Sequence, residues 1–173
     1  MSVYIKELDK PNLTKTKMSC DSILHEKLLE YPMVADCFSS NHYTIIIGKM
    51  KQGKTSLAVS LIKNVFKKVY ENIYVFIPEN SRSSIENDIF GVNLPEDQLF
   101  NDLSVENLVN VYDRLKDSSF EKENSLVLID DFQSVYKDKD VSKALETIII
   151  KICHSRTSVI LLAQNFQKNT KTY

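Results

Sequence analysis

Apolar positions along this chain fall into two patterns. Short runs at Thr44 to Ile47, Asn72 to Ile77, Ser125 to Asp131 and Thr157 to Ala163 are mostly aliphatic or β-branched on consecutive positions, as strands covered on both faces require. Between them, apolar residues recur every three or four positions, the spacing of a helix with one buried face. Over about Lys54 to Tyr70 the predicted inner face is Leu57, Ala58, Leu61, Ile62, Val65 and Val69. Ser104 is a good N-cap for a helix to about Lys116, with Val105, Leu108, Val109, Tyr112 and Leu115 inward. Val141, Ala144, Leu145, Ile148, Ile149 and Ile152 share a face in a helix from Val141 to about Cys153. Strands alternating with helices predict an α/β fold with three α/β/α layers and a mostly parallel central sheet.

The remaining segments are less patterned. Val3-Tyr4-Ile5 reads as a short edge strand, and Ser22 to Glu30 as a short helix stopped before Pro32. Residues 1–42 read as a lead-in packed on a core of 43–173, within a single domain. In that lead-in Phe38, His42 and Tyr43 can stack on a base or fill the core, the core being the commoner use. Ser81 to Phe90 reads as a short helix, Gly91 to Asp102 as a polar connection and Asp117 to Asn124 as a charged loop.

Composition narrows the picture. The chain has 173 residues, is 43% hydrophobic and carries a net charge of −1, which suits one domain with a proper core. Near-neutral charge means that any nucleic-acid contact comes from local patches. Lys63, Lys67 and Lys68 form one such patch, more simply read as a solvated basic face. Cys20, Cys37 and Cys153 show no paired spacing and do not cluster with His25, His42 or His154, which argues against a disulfide framework or zinc site and for a reducing compartment. No apolar run reaches membrane-spanning length, and MSVYIKELDK lacks a signal-peptide core, so no membrane partner is expected.

The strongest chemical signal is Gly48-Lys49-Met50-Lys51-Gln52-Gly53-Lys54-Thr55, the G-x-x-x-x-G-K-T pattern of a phosphate-binding loop, followed by Ser56. The chain has only three glycines, and two of them stand here. They let the backbone approach a ligand closely, so that the amides from about Lys51 to Ser56 can surround phosphate oxygens. The following helix adds its positive end. Lys54 can reach the β- and γ-phosphates of ATP, and the Thr55 hydroxyl can ligate Mg²⁺.

A second signal lies about 75 residues on, where Ser125 to Asp131, SLVLIDD, reads as a buried strand ending in two carboxylates. This is the Walker B pattern. Asp130 is placed to hold a Mg²⁺-bound water beside Thr55, and Asp131 to polarise the attacking water. The strand Thr157 to Ala163 ends in Gln164, in the layout of a residue that senses the γ-phosphate; an ordinary strand-end Gln is the plainer alternative. Glu79, Asn80 and Arg82 follow another strand and lie toward the same edge of the sheet. The order of these elements is that of ATPases with an additional strand between the two Walker strands (the RecA/FtsK-like order).

The segments GKMKQGKT, LVLIDDF and CHSRTSVILLAQNF resemble the genome-packaging ATPases of poxviruses, other large DNA viruses and virophages, in the FtsK–HerA group of DNA translocases. The resemblance covers roughly residues 43–167. It implies a ring-shaped homo-oligomer that threads double-stranded DNA into a preformed capsid or portal-like vertex, holding its track through backbone phosphates. It places the protein in the cytoplasm of an infected host cell, in the viral factory, or with the virion. It assigns ATP binding to Gly48 through Ser56, Mg²⁺ to Thr55 and Asp130, water activation to Asp131 and phosphate sensing to Gln164. Arg156 is the candidate for a finger reaching a neighbour's γ-phosphate, with Arg82 second; a surface Arg is the plain alternative for each. Lys137 and Lys139 are candidate DNA contacts. The family pattern has Arg-His before the last strand where this chain has Cys153-His154. The family core also continues past the Gln strand, so the resemblance implies either a shortened C-terminus here or a minimal version of the core. Three other readings stay open: a DNA helicase or replication ATPase, a small-molecule P-loop kinase, and a nucleotide switch that does not hydrolyse.

Overall fold

A computed structural model of the chain describes residues 41–83, 89–132, 135–151 and 154–164. The four apolar runs form strands β1 (Tyr43–Ile47), β2 (Asn72–Phe76), β4 (Ser125–Asp130) and β5 (Thr157–Ala163), and a two-residue strand β3 (Leu99–Phe100) joins them. They make one five-stranded sheet in the order β1-β5-β4-β2-β3, with every pairing parallel. The strand after the paired carboxylates, β5, therefore lies between the strand entering the glycine loop and the strand ending in Asp130. This is the expected additional-strand order.

Strand residues alternate between two cores. Ile73, Val75, Leu126, Leu128, Ile160 and Leu162 face the helix that follows β1. Tyr74, Phe76, Val127, Ile129, Val159 and Leu161 face the two helices of the other layer. The helix after β1 begins as α1 (Lys54–Leu61), passes through a π-helical turn (Ile62–Phe66) and ends at Lys67–Val69. Two short helices follow β2, α2 (Glu79–Ser83) and α3 (Ile89–Asn93). The second layer holds α4 (Val105–Phe120) and α5 (Lys139–Ile150). The order of layers is α/β/α, as predicted.

The buried faces differ from the predicted ones. In α1 and its continuation, Leu57 is 48% exposed whereas Phe66 is 1% exposed. Phe66 shares the buried face with Val59 and Ile62, seven and four residues earlier, and Leu57 lies away from that face. A π-helical turn follows, in which the Lys67 amide reaches back five residues to the Ile62 carbonyl. In α4, Leu108, Val111, Leu115 and Ser118 face inward, while Val105 and Val109 are exposed. That helix also runs four residues past Lys116, into the predicted charged loop. Its start agrees with expectation: Ser104 Oγ accepts the Asn107 amide. Asp138 caps α5 by accepting the amides of Asp140 and Val141, so the helix starts two residues before Val141.

The stretch Gly91 to Asp102 is more structured than a polar connection. It contains the end of α3, a 3₁₀ turn (Glu96–Gln98) and β3. The edge strand is held because Phe100 stacks on Phe76 at 4.8 Å between ring centroids, and because the Phe100 carbonyl accepts the Ile77 amide. The expected Val3-Tyr4-Ile5 strand, the Ser22 to Glu30 helix, Phe38, Ile152 and the C-terminal tail lie outside the described residues.

The buried face of α1 and its continuation has a direct test in urea unfolding. Phe66→Ala should cost about 3–5 kcal/mol and Leu57→Ala less than about 1 kcal/mol. Equal costs would contradict that placement of the face.

Candidate active site

The loop is anchored before it turns. Gly48 follows the last residue of β1, and its amide donates to the Ala163 carbonyl of β5 at 3.1 Å. The backbone then passes through the left-handed region at Lys51 (φ 61°) and Gly53 (φ 80°) before α1 begins at Lys54. Glycine takes such a φ without a Cβ penalty. The Gln52 side chain closes the loop by accepting the Lys49 amide at 3.3 Å. Lys54 Nζ donates to the Gly48 carbonyl at 2.8 Å and the Lys49 carbonyl at 3.1 Å, so the ammonium is held at the loop itself. A Cβ on Gly48 would lie 3.3 Å from Lys54 Cγ and push that side chain aside. No acidic residue stands in the first turn of α1, leaving its amide-rich end free to attract an anion.

The two carboxylates separate into different environments. Asp130 is buried at the end of β4, where the Thr55 hydroxyl donates to its Oδ2 at 2.6 Å. Burial pushes the Asp130 carboxyl above its usual range, and neighbouring Asp131 adds to the rise, whereas the Thr55 hydrogen bond and Lys54 oppose it. Asp131 is exposed and has a φ of 58°. For a non-glycine residue that conformation costs on the order of 1 kcal/mol. Its side chain is braced from β5: Gln164 Nε2 donates to Asp131 Oδ1 at 2.7 Å.

These groups line one open cavity of 680 Å³, which holds loop residues Met50 to Ser56, Asp130, Asp131 and Gln164. Asn80 and Ser81 of α2 form part of its wall, as does Val59 of α1. Asn80 was anticipated from its place after β2. Ser81 and Val59 carry no motif; Ser81 enters because the Pro78 carbonyl accepts the Ser81 and Arg82 amides and starts α2 there. Among candidate donors, the Thr55 hydroxyl and Asp130 present adjacent hard oxygens of the type Mg²⁺ takes. Among the described residues no group of three or more His, Cys, Asp or Glu is placed for another metal.

Other candidates lie elsewhere. Arg156 is half-buried just before β5, at the end of the sheet opposite the loop, with its Nε 3.4 Å from Asn124 Oδ1. Arg82 is half-buried on α2, beside the cavity residues Asn80 and Ser81. His42 and Tyr43 sit at the start of β1, away from the loop; the His42 amide bonds to Ser158 Oγ at 3.3 Å and its carbonyl accepts the Val159 amide. Lys137 and Lys139 are exposed on the segment leading from β4 into α5.

Asp130→Asn preserves an oxygen acceptor for Thr55 while removing the charge a cation requires. In titrations with a fluorescent ATP analogue, it should weaken binding about tenfold or more with Mg²⁺ present and leave binding in EDTA nearly unchanged. Equal losses in both buffers would show that Asp130 serves only the fold.

Comparison with known proteins bears on this geometry. The family model described as Poxvirus A32 protein matches residues 35–172. No curated protein matches the chain. Among solved structures, EccC of Thermomonospora curvata (ATPases 2 and 3, in complex with a signal sequence peptide) superposes with a TM-score of 0.51 at 14% identity, over 72% of this chain and 25% of that one. The cytoplasmic domain of the Type VII secretion ATPase EccC from the same organism gives a TM-score of 0.48 at 13% identity, over 72% and 16% of the two chains. The chain thus spans a quarter or less of these neighbours' length. At such identity the first of these likenesses speaks to the fold alone. The family match covers most of the sequence and includes every element of the loop–carboxylate–glutamine site: the chain belongs to the poxvirus A32 protein family of P-loop ATPases.

Proposed function

We propose that the protein hydrolyses ATP to drive double-stranded DNA through a homo-oligomeric ring, packaging a viral genome into a preformed capsid in the cytoplasm of the infected cell. The observation that carries this reading is the convergence of Lys54, Thr55, Asp130, Asp131 and Gln164 on one cavity within the A32 family frame. The inserted β5 supports a motor-type ATPase over small-molecule kinases, which pair the two Walker strands directly.

The residues fit a magnesium nucleotide. The loop amides and the start of α1 would surround the phosphates, and Lys54 would exchange its two carbonyl partners for phosphate oxygens. Thr55 and Asp130 would hold Mg²⁺, which when bound neutralises charge on the β- and γ-phosphates. Asp131 is exposed at the cavity and can accept a proton from water. Gln164 donates to Asp131 and lines the same cavity, where it would meet a γ-phosphate or a water. A phosphate drawing on Gln164 would shift Asp131, which would couple nucleotide state to water activation through one hydrogen bond.

A cation to complete the site would come from a neighbouring subunit. Arg156, at the opposite end of its own sheet, would serve only in trans; Arg82 stands closer to its own cavity. DNA would be held through backbone phosphates by local lysines such as Lys137 and Lys139, since the net charge of −1 supplies no general attraction.

The test is ATP hydrolysis without DNA, with single strands and with duplex, using Lys54→Ala as the blank. Duplex should stimulate hydrolysis about tenfold or more, and the stimulation should fall steeply with salt. Preference for single strands would point to a helicase instead. Indifference to both DNAs would overturn the translocase reading.

A further inference from the structure

A second concave site lies at the other end of the sheet. It is a cavity of 480 Å³ between the last turns of α4 and the chain leaving α5, and its principal walls are Tyr112, Lys116, Phe120, Lys122, Lys151 and His154. None of the residues lining it is acidic. Its place is fixed by topology: Phe120 and Lys122 precede β4, and His154 precedes β5, whereas the nucleotide site gathers where those strands end. The six residues of β4 therefore separate the two sites by about 20 Å.

The cations are organised around one ring. Lys116 Nζ lies 4.3 Å from the Tyr112 ring centroid, and Lys151 Nζ lies 5.2 Å from it. Lys151 also donates to the Tyr112 hydroxyl at 2.8 Å. The floor is tied across, because Ser119 Oγ donates to the His154 carbonyl at 3.0 Å. Lys116 pairs with Asp113 at 3.2 Å, but both side chains are more than half exposed and such a pair contributes little. At the rim Phe120 is 91% exposed, a large apolar side chain left in water.

Lysines at helix C-termini complement the helix dipole, and that accounts for each cation singly. It does not account for an exposed Phe, nor for cations from two elements meeting at one ring. We propose that this groove docks an acidic segment of a partner protein carrying an aromatic or aliphatic side chain. Carboxylates meet Lys116, Lys122 and Lys151, and the apolar side chain packs against Phe120 and Tyr112. Aromatic anchors beside charges are the usual composition of such contacts. A cavity of 480 Å³ takes one or two side chains, whereas a duplex needs a broad surface. The proposal stands apart from the nucleotide reading.

The test is fluorescence anisotropy on the full chain with three labelled probes: a peptide of about ten Asp and Glu residues with one central Phe, the same peptide with Ser in its place, and a duplex of about 20 base pairs. The Phe peptide should bind about tenfold more tightly than the Ser peptide. Phe120→Ala should erase that advantage, and Lys116→Glu with Lys122→Glu should weaken both peptides about tenfold, with thermal melting and ATP hydrolysis unchanged. All these substitutions are at exposed positions, so the fold should tolerate them. Failure of the Phe peptide to bind, or binding indifferent to its Phe or to the lysines, would overturn the proposal. Tighter binding of the duplex, lost with the same lysines, would overturn it in favour of a DNA surface.

Discussion

The site depends on the placement of β5 in parallel between β1 and β4. Parallel strands end on the same side of a sheet, so three chain segments distant in sequence deliver their last residues together. The register makes this concrete: Ile47 lies level with Ala163, and Asp130 with Leu162. One residue past these pairs stand Gly48, Asp131 and Gln164. The Gly48–Ala163 hydrogen bond fixes where the loop begins, and the Gln164–Asp131 hydrogen bond fixes where the exposed carboxylate points. A slip of one residue would turn the side chains of β5 to opposite faces and remove both.

Charge is arranged on that frame against some internal cost. Asp130 is buried beside another carboxylate, and burial raises its pKa. Its compensation in the free protein is one short hydrogen bond from Thr55 and the nearby Lys54. Lys54 meanwhile turns its ammonium to backbone carbonyls. A phosphate chain with its cation would offer Lys54 anionic oxygens and Asp130 a positive charge. The groups stand in position before any ligand arrives, as the binding of a polyanion with a divalent cation would require.

Much of this was legible in the residues. Continuous apolar runs identified β1, β2, β4 and β5, because strands covered on both faces have no polar alternation to blur them. The glycine loop and the paired carboxylates were legible because their chemistry demands particular residue types at fixed offsets. Helix faces were less so: apolar residues nearly ring α1 and its continuation, and only packing against the sheet shows that Val59 and Phe66 are buried and Leu57 is not. β3 was missed because two residues carry no periodicity, and its strand character comes from Phe100 meeting Phe76. Ser81 was missed for a similar reason, as its place in the cavity follows from the turn at Pro78. Gln164 was singled out from its position at a strand end, but its bond to Asp131 is visible only in three dimensions.

Through that bond the ends of β4 and β5 would act as one catalytic unit. A double-mutant cycle on the single-turnover hydrolysis rate, using Asp131→Asn, Gln164→Ala and the pair, reads the coupling. Each single change should slow hydrolysis about 100-fold, and the pair should be scarcely slower than the worse single change, as groups acting together show. Losses that multiply would mean that Asp131 and Gln164 act independently and that no such unit exists.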